Sequence, residues 1–223
     1  MENNEINVQQ EIEGVKKDIE KLSSTDGWGK LSDKQKQYIQ DSLYVSKRAY
    51  REVGTTNPRY GFRLSDELAI LKEKEGKVPT LHSKYTESQN RISDWYCHYS
   101  VFVLENDGKT PNQPIKKVDN DFTNEEFKKY STLADLETKI AGMEYPCVVQ
   151  ISERDDNSDF DVDEMIHSFV VFGKAPEGYL VWEKSDLGQT YKIKTLEELY
   201  KDVYEGEKED YFYWGVRKLR KLT

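Results

Sequence analysis

Cysteine is scarce in this chain of 223 residues, which carries only Cys97 and Cys147. Two thiols do not make the disulfide framework of a small secreted scaffold. Histidine is scarce too: there are three, His82, His98 and His167. A structural zinc site wants four ligands in closely spaced pairs. Cys97, His98 and the distant His82 do not supply that spacing, so no metal is expected. No apolar run approaches the ~18 residues that span a bilayer, and no membrane is expected as a partner. The opening Met-Glu-Asn-Asn-Glu lacks the basic start and apolar stretch of a secretory leader, so the expected location is cytoplasmic. A phosphate-cradling glycine loop, a G-x-S-x-G elbow and an H-E-x-x-H pair are all missing, which argues against nucleotide hydrolases, serine esterases and the common zinc peptidases. Nothing calls for a cofactor. Positive charge is in deficit, with 33 Lys and Arg against 42 Asp and Glu and a net charge of -9. Duplex phosphate needs a basic face, so nucleic acid is not an expected partner. The basic stretch Arg217 to Thr223 is a local exception and reads as a solvated terminus.

Aromatic residues are plentiful at 12%, with fifteen Tyr, which argues for a packed core through most of the chain. Val8, Ile12, Val15, Ile19 and Leu22 fall at spacings of 4, 3, 4 and 3 and form a short heptad seam. A helix of that length is marginal alone and must pack on the body, pair through residues 8–22 with a copy or a partner helix, or fray. The turn-rich Ser23 to Gly27 marks a boundary between a helical extension, 1–24, and one α+β domain, 25–223. Ser32-Asp-Lys-Gln35 is a capping box opening a helix towards Val53. A second helix is predicted over Leu64 to Lys74. Thr123-Asn-Glu-Glu126 caps a short helix, and Thr132 opens another with Leu133, Leu136 and Ile140 on one face. Strands are predicted over 145–152, 167–173, 178–184, 191–194 and 211–219, with a capping box at Thr195-Leu-Glu-Glu198 starting a helix through Tyr204. Helices first, then an antiparallel sheet, is an α+β order. Arg91 to Glu105 stays open. Its aromatic and β-branched residues favour a strand, while Ser93 or Asp94 is an acceptable cap for a buried helix with Cys97 in its first turn.

Three residues carry the candidate chemistry. His167 opens one apolar strand, and Glu183 lies sixteen residues on, near the end of the next. With the turn centred near Pro176 the two stand opposite each other, so a carboxylate orients an imidazole. Cys97 is the candidate nucleophile, because a thiol beside a cationic imidazole is held as thiolate. His98, its immediate neighbour, is expected to point elsewhere, since adjacent side chains diverge on a regular element. Cys147, within Pro-Cys-Val-Val-Gln-Ile, reads as core. The acidic loop Glu153 to Glu164 has Asp155, Asn157 and Asp159 at EF-hand spacing. It lacks Gly at the sixth position and Glu at the twelfth, and reads as a solvated loop.

A helical first region, then a sheet with a histidine at the start of one strand and a polar residue on the next, resembles the layout of the papain-like cysteine peptidase and amidase superfamily, nearest in size to its NlpC/P60-type branch. The likeness covers roughly residues 91–219. It implies a papain-like arrangement, with Cys97 as nucleophile, His167 as base and Glu183 as the orienting residue. The implied reaction is hydrolysis of a peptide, isopeptide or related amide bond. His98 and Tyr99 stand after the cysteine where such enzymes usually carry small residues. The alternative is a domain of the same fold without turnover, acting as a binding or regulatory module through protein contacts.

Overall fold

The computed structural model describes residues 8–43, 97–108, 127–128, 130, 132–153, 165–184, 191–204 and 212–220. The helix expected over Leu64 to Lys74, the distal part of the helix towards Val53, the loops around Asn57 and Lys109 to Asp121, the Thr123 cap and most of the acidic loop lie outside them. The described elements are α1 (Val8–Ser23), α2 (Asp26–Gly29), α3 (Asp33–Leu43), α4 (Cys97–Glu105), β1 (Phe127–Lys128), α5 (Leu133–Ala141), β2 (Cys147–Glu153), β3 (Met165–Ala175), β4 (Gly178–Glu183), β5 (Lys192–Thr195), α6 (Leu196–Tyr204) and β6 (Phe212–Lys218). The fold is α+β, with six strands in the order β1-β6-β2-β3-β4-β5 and every neighbouring pair antiparallel.

The sheet is covered on both faces. That is why Cys-Val-Val-Gln-Ile, Ser-Phe-Val-Val-Phe and Tyr-Leu-Val-Trp read as continuous apolar runs rather than alternating ones. Val148, Val170, Phe172, Leu180 and Trp182 face one way and pack with Leu22, Trp28, Ile39, Leu43, Val101 and Leu104 of the N-terminal helices and α4. Cys147, Val149, Ile151, Phe169, Val171 and Val181 face the other way, against Leu136 and Ile140 of α5 and Leu196 and Leu199 of α6. The C-terminal part of α1 packs on the body: Val15 and Ile19 are half-buried against the core and Leu22 is fully buried in it.

Local chemistry fixes where the helices start. Ser32 and Gln35 make the reciprocal capping box, with Gln35 N donating to Ser32 Oγ at 3.2 Å and Ser32 N donating to Gln35 Oε1 at 3.0 Å. Thr195 and Glu198 do the same before α6. The open segment resolves as a helix over its described part. α4 carries apolar side chains around much of its circumference, since Val101, Val103 and Leu104 are all buried, so it has no polar stripe to announce a helical period. Its end is set by Asp107 and Gly108, both at positive φ. Gly108 N returns to Val103 O at 2.8 Å, closing the last turn. Phe127–Lys128 pairs with β6 instead of continuing a helix from the Thr123 cap.

Candidate active site

α4 brings its first described residue, Cys97, against the start of β3. His98 Nδ1 lies 2.5 Å from Ser168 Oγ, which ties the two elements together at that point. Cys97 lies close enough to His167 and His98 for both imidazoles to act on its thiol. The adjacent imidazole therefore does not point away, as neighbours on a regular element were expected to. Successive side chains on a helix leave about 100° apart, and the bond to Ser168 holds the His98 ring where it spans that gap.

Glu183 meets His167 as expected, but not by facing it. Val170 pairs with Trp182 and Val171 with Val181, and the register then slips before Gly173 pairs with Leu180. Continued one residue, this register sets Glu183 opposite Phe169. His167 is thus a diagonal neighbour, two residues further along β3. Diagonal partners lie within reach of long side chains, and Glu183 Oε2 sits 2.9 Å from His167 Nε2. The slip follows the positive φ of Gly173, a feature that a count from the turn at Pro176 does not contain. Across the next strand pair, Lys194 Nζ donates to Glu183 Oε1 at 2.8 Å and to Asp202 Oδ2 at 2.6 Å. A row of Cys97, His167, Glu183, Lys194 and Asp202 thus crosses α4, three strands and α6.

The row is buried where the chemistry lies. Cys97 is 7% exposed, His167 8% and Glu183 3%. Burial alone would push the Cys97 thiol up. The neighbouring imidazoles of His167 and His98, polar and positively charged, overcome it and hold the thiol down at about 5. Burial disfavours the His167 cation, but the bonds to Cys97 and Glu183 raise it to about 9. Burial would also raise Glu183, yet His167 and Lys194 hold it down at about 2. The thiol and imidazole form one coupled pair, thiolate beside imidazolium at neutral pH.

The ionised Glu183 can only accept hydrogen bonds, so the proton on that side sits on His167 Nε2. Nδ1 is the nitrogen left for the sulfur. It is buried and makes no hydrogen bond among the described residues. Around the sulfur, the buried Tyr191 hydroxyl lies 2.8 Å from Ser100 Oγ and 3.4 Å from Tyr38 Oη. Burial, eased by those two bonds and increased by the Cys97 charge, pushes that phenol up to about 12. Cys147 lies fully buried in the opposite-face core, and burial pushes its thiol up to about 12. Both cysteines are free thiols. Among the described residues no three His, Cys, Asp or Glu side chains are placed to hold a metal ion, and no helix is long and apolar enough to cross a membrane.

Sequence reasoning names three of the row's five members and misses Lys194 and Asp202. The only signal for Lys194 is the charged alternation Lys192-Ile-Lys194, which points to nothing until the β4–β5 register is known. The chain matches no family model, no curated protein and no solved structure.

Proposed function

We propose that this protein is a cysteine hydrolase, similar in layout to papain-like enzymes, that cleaves a peptide, isopeptide or related amide bond through an acyl-enzyme. The observation that carries the reading is one constellation. A buried thiol held near pKa 5 lies beside an imidazole whose far nitrogen is fixed by a buried carboxylate at 2.9 Å. A base ordered by a third group beside an ionised nucleophile is the general arrangement for covalent acyl transfer.

The steps follow from the protonation states. The Cys97 thiolate attacks the carbonyl carbon and its electrons move to the oxygen. Imidazolium His167 gives its Nδ1 proton to the leaving nitrogen as the C–N bond breaks, leaving a thioester and a neutral imidazole. His167 Nδ1 then takes a proton from water, hydroxide adds to the thioester, and the acid departs as the thiolate and imidazolium are restored. Glu183 holds the ring with Nδ1 towards the sulfur throughout. The substrate class is a peptide or protein amide, and the working location is a reducing cytoplasm, in keeping with two free thiols.

A panel of fluorogenic amides, isopeptides and thioesters tests the reading with wild type, Cys97→Ser and His167→Ala. Turnover lost by at least a thousandfold in both variants, with unchanged circular dichroism, is expected. Labelling by an electrophilic probe at Cys147 and never at Cys97 overturns it. A second reading, a non-catalytic binding or regulatory module of this fold, is favoured by the 7% exposure of Cys97. It predicts a thiol that reacts with small reagents while no substrate in the panel turns over.

A further inference from the structure

We infer that Lys194 is a positioning residue of this site, holding Glu183 in the rotamer that faces His167 and offsetting the carboxylate's charge so that the imidazole can act as a base after the sulfur is acylated. The inference rests on the hydrolase reading for its role, but its geometry stands apart from it. Glu183 spends one oxygen on each partner, Oε2 on His167 at 2.9 Å and Oε1 on Lys194 at 2.8 Å. The carboxylate side chain is 2% exposed and the lysine side chain 18%. An ionised carboxylate at that depth needs both a charge partner and filled lone pairs.

Lys194 is itself held in place. Its ammonium bridges to Asp202 on α6 at 2.6 Å, and α6 is anchored to the end of β5 by the Thr195–Glu198 box. Burial opposes its charge, but Asp202 and Glu183 hold it protonated, above the ordinary lysine value.

The consequence differs between the two halves of the cycle. Before acylation the thiolate and Glu183 both stabilise imidazolium, which serves to protonate the leaving nitrogen. After acylation the thiolate charge is gone and His167 must be neutral to accept a proton from water. An unpaired Glu183 would keep the ring cationic at that stage, and Lys194 offsets it. Among the described residues, the charged or titratable groups beside the pair include Cys97 and His98 from α4, Asp202 from α6, and Lys192, which pairs directly with Glu183 across β4–β5.

The chain has three histidines, so their imidazole nitrogens can be followed individually by NMR across a pH titration. His167→Gln assigns the signal. With Cys97 blocked by iodoacetamide, Lys194→Met and Lys194→Gln are expected to raise the His167 midpoint and Lys194→Arg to restore it. Asp202→Asn, whose removal leaves Lys194 on Glu183, is expected to leave the midpoint close to wild type. In a burst assay with p-nitrophenyl acetate, Lys194→Met should slow the steady phase about tenfold while sparing the burst. A His167 midpoint that moves in Glu183→Gln but in neither neutral Lys194 variant overturns the inference. A wild type with no burst, whose His167 midpoint still responds to Lys194, sinks the hydrolase reading alone and leaves the positioning role in place.

Discussion

At the scale of single residues, the two cysteines differ by their surroundings alone. Iodoacetamide should label Cys97 at a rate that rises through about pH 5 and then levels, while Cys147, at about 12, stays unlabelled at neutral pH. Peptide mass spectrometry across a pH series reads both. His167→Gln should raise the Cys97 inflection, and His98→Gln should raise it by less, following the order of their contributions. Folding stability carries the same signature. The thiol falls from its ordinary 9.0 to about 5, so its contribution grows as pH rises from about 5 and is complete above 9.0. The imidazole rises from 6.5 to about 9, so its contribution is complete below 6.5 and is lost as pH climbs through about 9. Urea midpoints should therefore increase between about pH 5 and 6.5, where the thiol is the member of the row whose contribution grows most, and Cys97→Ala should flatten that rise. The pairing of Cys97 with His167 was legible because cysteine and histidine are so few. His98 was not, because the bond to Ser168 that turns its ring joins residues seventy positions apart.

Among the secondary-structure elements, α2 and α4 are the ones that sequence pattern describes least well. α2 is a single turn whose Gly27 lies against the β3 backbone, where an added Cβ would collide with the Phe172 carbonyl. Backbone on a central strand cannot move aside as a side chain can. Gly27→Ala should cost about 1–3 kcal/mol in urea denaturation, whereas Gly29→Ala, with no atom within 4 Å of the new carbon, is the control. Gly14 in α1 also faces open space, and Gly14→Ala should stabilise by up to about 1 kcal/mol. Strands β2, β3 and β4 were legible as apolar runs bounded by turn residues, and the capping boxes before α3 and α6 gave their starts. Segment 97–105 was not, since valine and aromatic content favours a strand and only burial on several sides makes a helix of it.

For the whole molecule, the far end of α4 matters as much as the end bearing the sulfur. Glu105, with a side chain 0% exposed, receives the Arg217 guanidinium of β6 and both the backbone and guanidinium nitrogens of Arg220. The basic stretch that reads as a solvated terminus is, at Arg217 and Arg220, a clamp on α4. Glu105→Gln should destabilise by about 2–4 kcal/mol, less than a fully interior pair because Arg220 can rehydrate. A thermal scan checks it, and a change below about 0.5 kcal/mol would show the clamp to be a surface pair. The α+β order was readable from the succession of elements, and continuous apolar runs are the mark of a sheet covered on both faces, but the row through Lys194 depends on strand register, which residue pattern does not encode. Trp182 stacks on Tyr191 at 5.2 Å, and the Tyr191 hydroxyl bonds Ser100, one helical turn from Cys97. Trp214 lies across the sheet, stacked on Tyr200. Substituting Trp28, Trp95 and Trp214 leaves Trp182 as the single indole, and alkylation of Cys97 is expected to change its ultraviolet emission, an optical gauge that needs no natural substrate.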